Sequence, residues 1–408
     1  MMSLRHEIRS LSSSVRTATD EQIALVVATI DRMEMRGVAD ALVAPLRGRL
    51  RALAVPRPRQ LRRLCFEPLD SLIVDSAVWK RAQPFVPRSA LVPLFEIMQR
   101  ENPELCDGGQ LLVGPESYPS GRAQLCAKLW LDGARALQSS PAPANWRQTS
   151  GLADADYYAI RSVVVVILEQ ADRLCRLDPR AEERQILAEL REILTAAAQG
   201  GALAWQAMLV LLFSQSDFVA LAVRLGQELA TTSALAVGLD AAFKSVSAVL
   251  QGKLDLLGDS VSVAPMELAN MVDIIVDLEA AAGPRSERKR TAEVLRRNAS
   301  QLCAKAVARV VEQELIPALK RDGNEPQPEV QSIAETAARS VRALGLVAER
   351  LGVSDKYDAR ARAVVVHLTD TGNCFDPIDR ARLLEILGRG SEAQEVLRAF
   401  YAARALIV

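Results

Sequence analysis

The chain has 408 residues, half of them apolar and a quarter charged, which gives it enough material for a large hydrophobic core and excludes disorder as its dominant state. Lys and Arg total 50 against 50 Asp and Glu, so no net field marks the whole molecule as a nucleic-acid or membrane binder. Six cysteines stand singly, without a CxxC pair, as expected of free thiols in a reducing cytoplasm, and the start MMSLRHEIRSLSSS lacks the apolar core of a signal peptide.

The charge balance is uneven along the chain. Through Arg63 there are 12 basic and 6 acidic residues, so the remainder carries the compensating acidic excess. Only eight of the cations are Lys, a bias assigned to a GC-rich, bacterial coding genome and not to a binding task.

In the amino-terminal part, Thr19 and Gln22 form a capping-box pattern ahead of Ile23, Val26, Val27 and Ile30, which predicts a helix over 20–36 closed by Gly37. A second helix is expected over 40–53. Pro56 and Pro58 then forbid a regular helix through PRPR and extend the chain. Short helices are expected over 60–66, over 71–82 behind Asp70, and over 90–99 behind Ser89. From Asn102 to Ser150 the sequence is rich in Gly and Pro around one helix over 123–137. The run SSPAPANWRQTSG sets the expected boundary between an amino-terminal helical domain, 1–150, with a basic arm and loops, and a carboxy-terminal helical-stack domain, 151–408.

After Gly151 the apolar residues recur at three and four positions, the spacing of one helical face. Helices are predicted over 154–177 behind Asp154, then 180–199, 202–213, 216–230, 232–257 and 265–282. The block Val163–Leu168 also has the composition of a buried strand, but its flanks continue the helical period. The window Gly200–Val223 is the most lipid-like, yet Ser214 to Asp217 interrupt it after about fourteen residues, short of the roughly 20 a span needs. Two buried helices and no transmembrane span are expected. The longest helix is predicted over 286–319 with a bend near Pro317, followed by helices over 329–351 and 356–369. The end is read as a hairpin in which Asp376 caps 377–387, Gly388 to Gly390 turn, and Ser391 with Gln394 forms a second capping box. Pro179, Pro265 and Pro377 stand where helix starts tolerate a missing amide. The segment LLEILGRGSEAQEVL resembles the way tetratricopeptide helices turn through a glycine, but no period of about 34 residues accompanies it. The expected fold is all-α, an irregular multi-helix bundle or a solenoid-like stack of helix pairs with a proline-interrupted amino-terminal domain.

No chemical motif is complete. The two histidines, His6 and His367, have no paired ligands, so no zinc site is expected. Asp273 and Asp277 share a helix face in MVDIIVDLE, the arrangement of a di-metal carboxylate pair, but no Glu-x-x-His supplies the facing ligands, and a solvated stripe is expected. GPESYPSG at 114–121 departs from the phosphate-loop spacing, and Ser117 has no GxSxG elbow. No catalytic residue, metal or cofactor is assigned.

The arginines carry the remaining signal. Arg47, Arg49, Arg51, Arg57, Arg59, Arg62 and Arg63 fall in one acid-free window, and a guanidinium fork suits phosphate or carboxylate. Trp79, Lys80 and Arg81 add a candidate stacking surface. These ten residues are the candidate binding site for an anionic partner. The favoured function is a non-enzymatic scaffold or adaptor for protein–protein interaction, with homo-oligomerisation left open. The alternatives are a nucleic-acid-associated protein using the 47–63 patch, and an enzyme with a carboxylate-lined helical-bundle pocket.

Overall fold

The computed structural model describes residues 61–103, 119–258, 264–283, 286–320, 328–369 and 375–405, together with Gln22. The helices expected over 20–36 and 40–53, the PRPR arm and the GPESYPSG loop up to Tyr118 lie outside the described residues. The chain divides into two compact units, one of residues 1–67 with 99–129 and one of 68–98 with 130–408.

The described part is all-α apart from one short parallel bridge. Helix α1 covers Leu61–Cys65, and a bridge pairs β1, Ile73–Val74, with β2, Val86–Pro87. The expected helix over 71–82 is therefore not formed. Asp75 accepts from the amide of Ala77 at 2.9 Å and Trp79 donates its indole N–H to the Phe85 carbonyl at 2.7 Å, both bonds holding the chain in turns. Helices α2, Leu91–Glu101, α3, Pro119–Ser139, and α4, Trp146–Ser150, follow. The last lies within the expected linker and is anchored by the fully buried Trp146, whose indole N–H donates to the Ala153 carbonyl at 3.0 Å.

The larger unit continues with α5, Asp154–Arg176, α6, Glu183–Gln199, α7, Ala202–Phe213, α8, Val219–Leu229, α9, Ser233–Gly258, and α10, Pro265–Ala281. It ends with α11, Glu287–Arg309, α12, Ile316–Leu319, α13, Pro328–Arg350, α14, Ser354–Thr369, α15, Pro377–Ile386, and α16, Gly390–Ala405. Contacts run between alternate helices: α5, α7, α9 and α11 pack in succession, and α6, α8, α10, α13 and α15 do the same. This is the pattern of stacked helix pairs, each touching its neighbours along the stack. Paired bonds from Asp240 to Arg288 and from Gln251 to Asn298 show that α9 and α11 run parallel.

Several expected boundaries shift for visible reasons. Helix α5 starts at Asp154, but it is Asp156 that reaches back to the Ala153 amide at 2.9 Å. Pro179 falls in the turn before α6 and not inside it. Ser391 lies in the first turn of α16 and donates to Glu392 at 2.6 Å, so its expected capping box with Gln394 is not made. Asp376 does cap α15, accepting from Ile378 at 2.7 Å and Asp379 at 2.8 Å. Between α11 and α12 the backbone opens into a π turn, Val310–Leu315. Pro317 cannot donate to the carbonyl four residues back and its ring crowds that group, so the widened turn takes the place of the expected bend.

Val163–Leu168 is helical and every residue of it is buried. The lipid-like window forms α7 and α8, two helices bent by 110° about Ser214–Phe218. All ten residues from Ala204 to Phe213 are buried, and nine of them, all but Gln206, are apolar, as fits a helix with no wet face. Helix α9 alone among the described helices is long and apolar enough to cross a membrane by length and composition.

Candidate functional site

Five of the ten residues singled out by charge are among the described residues. Arg47, Arg49, Arg51, Arg57 and Arg59 lie outside the described residues. Arg62 and Arg63 belong to α1, Arg62 half-buried and Arg63 exposed, beside the buried Leu64 and Cys65. Trp79, Lys80 and Arg81 stand together in the loop between β1 and β2.

That loop is fixed from within. Ser76 donates its hydroxyl to the Ser89 hydroxyl at 2.8 Å, and the Gln83 amide donates to the Lys80 carbonyl at 2.9 Å. The Trp79 indole is half-buried, with its N–H already used. Arg81 forms an ion pair with Asp156, a residue buried at the start of α5. Its fork is thus committed on one side to its own protein while the side chain stays 56% exposed. At the loop tip Val78 and Lys80 face solvent. The next turn of α5 carries an arginine–aromatic stack that sequence reasoning passed over: the Arg161 guanidinium lies 5.2 Å from the Tyr158 ring centroid and 5.7 Å from that of Tyr157. The ADADYYAIR spacing is the signal that would have found it, since Tyr158 and Arg161 are three apart on one helical face.

The carboxylate pair of α10 is not a solvated stripe. Asp273 is ion-paired with Arg350 of α13 at 2.5 Å and both aspartates are half-buried. Partial burial pushes the Asp277 carboxyl up, and the negative charges of Asp273 and Asp217 push it further. No group of three or more His, Cys, Asp or Glu able to hold a metal ion occurs among the described residues.

An open crevice of about 480 Å³ lies at the α5–α6 turn, lined by Arg173, Arg176, Leu177, Gln185, Ile186 and Glu189 among others. Arg173 pairs with Glu192 and Arg176 with Asp172, so its cations face their own acids. Chemically the crevice is a mixed, self-neutralised surface. No protein-family model, no curated protein and no solved structure matches this chain.

Proposed function

We propose that the protein is a non-enzymatic helical scaffold or adaptor that binds another protein. The observation that carries this reading is the stack itself, in which alternate helices pack in succession along most of the larger unit. Such stacks offer long continuous surfaces built on rigid elements. Ion pairs lace the seams of this one: Arg191 with Glu228 at 2.6 Å, Arg224 with Glu183 at 2.9 Å, and Arg382 with Glu335 at 3.2 Å. Side chains suited to contact stand outside them, including Val237, Leu256 and Met266, which are 65%, 70% and 74% exposed. The Val78–Arg81 loop offers a second kind of surface, combining an apolar tip with two cations and half of an indole ring; of these residue types Trp and Arg are the ones enriched where binding energy concentrates at protein interfaces.

The test is native purification from the source cell followed by reconstitution from two purified proteins. A stoichiometric complex that reforms from its purified components is the expected outcome. Turnover of a small molecule by the isolated chain, with no protein that rebinds, would reject the scaffold reading.

A further inference from the structure

Helix α9 keeps apolar surface that the fold does not use. Its most apolar 18-residue stretch has a mean hydropathy of 1.4, yet only 39% of it is buried. One side of the helix, with Leu239, Phe243, Val246 and Leu250, is buried where α9 packs on α7. Away from it, Val237, Ala241, Ala248 and Gly252 are spaced by four, seven and four residues and so share a face, and Leu256 lies one turn further on. All are exposed except the half-buried Ala241, and a Cβ on Gly252 would meet nothing within 4 Å.

Polar side chains do not break this face, because α9 spends them on its seam with α11. Asp240 pairs with Arg288 at 2.6 Å and Lys244 with Glu287 at 3.2 Å. Gln251 accepts from Asn298 at 2.8 Å and donates to Asp255 at 2.7 Å. The partners Asp240 and Arg288 are 48 residues apart, so Arg290 lies level with Ala242 of α9, and Lys305 with Leu257. Between those levels α11 presents a second exposed row, Arg290, Val294, Arg297, Gln301 and Lys305. Two other arginines of α11 are occupied, Arg288 by Asp240 and Arg296 by Glu279 at 2.9 Å. Arg290, Arg297 and Lys305 pair with no acid among the described residues, and Glu293 is the one exposed acid between them.

An apolar row thus runs beside a cationic one, and the two ask for a ligand with the complementary pair of rows. Small residues on α9 let another helix approach closely, whereas a helix that binds a lipid surface offers bulky side chains to the acyl region. Deepening the scaffold reading on which it rests, we propose that the joint face of α9 and α11 is the docking surface for an amphipathic helix of another protein. Its apolar stripe lies on α9, and acidic residues along one edge meet Arg290, Arg297 and Lys305. The span from Val237 to Gly252 is about 22 Å, so four turns of the incoming helix cover it.

The test places the photo-crosslinking residue p-benzoylphenylalanine at position 248 of the full chain in its source cell. Irradiation should join it to another protein, at a segment with apolar residues three and four apart and Asp or Glu along one edge. A synthetic peptide of that segment should then bind the purified chain, measured by fluorescence anisotropy. Replacing Arg290→Glu and Arg297→Glu together should raise its dissociation constant at least about tenfold, and exchanging the peptide's acids for Lys should restore binding. An adduct with lipid, with a second copy of the chain or with a basic segment, the absence of any adduct, or unchanged affinity after the charge reversal would overturn the proposal. Lys305→Glu is a second reversal at another exposed site, so the affinity test stands even if the double variant fails to fold. A native complex that reforms from purified components but is indifferent to these changes would reject this face alone and leave the scaffold reading in place.

Discussion

Arginine is the residue whose work the structure changes most. Arg161 donates to the Ser140 carbonyl at 2.8 Å just past the end of α3, and Arg296 donates to the Leu351 carbonyl at 3.0 Å while pairing with Glu279 at 2.9 Å. Arg380 donates to the Leu368 carbonyl at 3.4 Å, near the end of α14. Carbonyls at helix ends need donors, and a planar fork can serve a carbonyl and a carboxylate together. A composition bias first assigned to the genome therefore has structural uses in this chain. Titration gives two checks at the same scale. The Asp277 carboxyl is raised in the folded state, so the native protein holds its proton more tightly than the unfolded chain, and ionised Asp277 costs stability at neutral pH. Asp277→Asn should stabilise at pH 7, and the gain should shrink as pH falls through the raised value and vanish below the ordinary 3.8, as followed by urea unfolding across pH. Burial pushes the Cys65 thiol up to about 12 and the Cys303 thiol up to about 11, whereas Cys175 is exposed. Peptide mapping after brief iodoacetamide treatment should find Cys175 modified in the native protein, with Cys65 and Cys303 modified only in denaturant.

At the scale of the element, end signals can be separated from look-alikes by their effect on stability. Ser286 accepts from the Lys289 amide at 3.2 Å at the start of α11, and Asp376 caps α15 with two bonds. Ser286→Ala and Asp376→Ala should each lose about 1 kcal/mol in denaturant titration. Ser391→Ala should stay within about 0.5 kcal/mol, because that hydroxyl caps nothing. The same contrast shows what the sequence could tell. Helices α7 and α10 were legible almost to the residue, since a glycine pair or a proline marks their starts and a strong apolar pattern fills them. The stretch 71–82 was not, because its apolar residues meet helical spacing while Asp75 accepts from the Ala77 amide, Ser76 bonds Ser89 and Trp79 donates to the Phe85 carbonyl, all within a loop. The π turn was half legible: Pro317 announces trouble for a helix, but whether the chain bends or widens is decided by packing of Val310, Val311 and Leu315, all buried. Of the candidate site, the cations could be read from the sequence, but the partner of Arg81 could not. Asp156 is 75 residues away, and its role depends on where α5 begins.

For the whole molecule, stacking implies graded stability along the larger unit. Helix α7 is enclosed by α5, α6, α8 and α9, while α16 packs mainly on α15 and buries only Ala393 among its described side chains. Amide hydrogen exchange should be slowest in Ala202–Phe213 and fastest, among the described helices of this unit, in Gly390–Ala405. Equal protection in the two would mean that the stack opens as one block. The ion pairs along the seams are largely exposed, so 1 M salt should change the order of protection little.

The enclosure of α7 has a consequence for synthesis. Every side chain from Ala204 to Phe213 except that of Gln206 requires apolar company, and the indole N–H of Trp205 is met by the Leu235 carbonyl at 3.0 Å. A growing chain that has just produced Phe213 lacks both α8 and α9. At roughly 5–20 residues per second, on the order of one to four seconds pass before Leu235 is added. During that interval the most water-averse helix of the protein has half its shelter, and nascent chains stalled there are the form most in need of a chaperone.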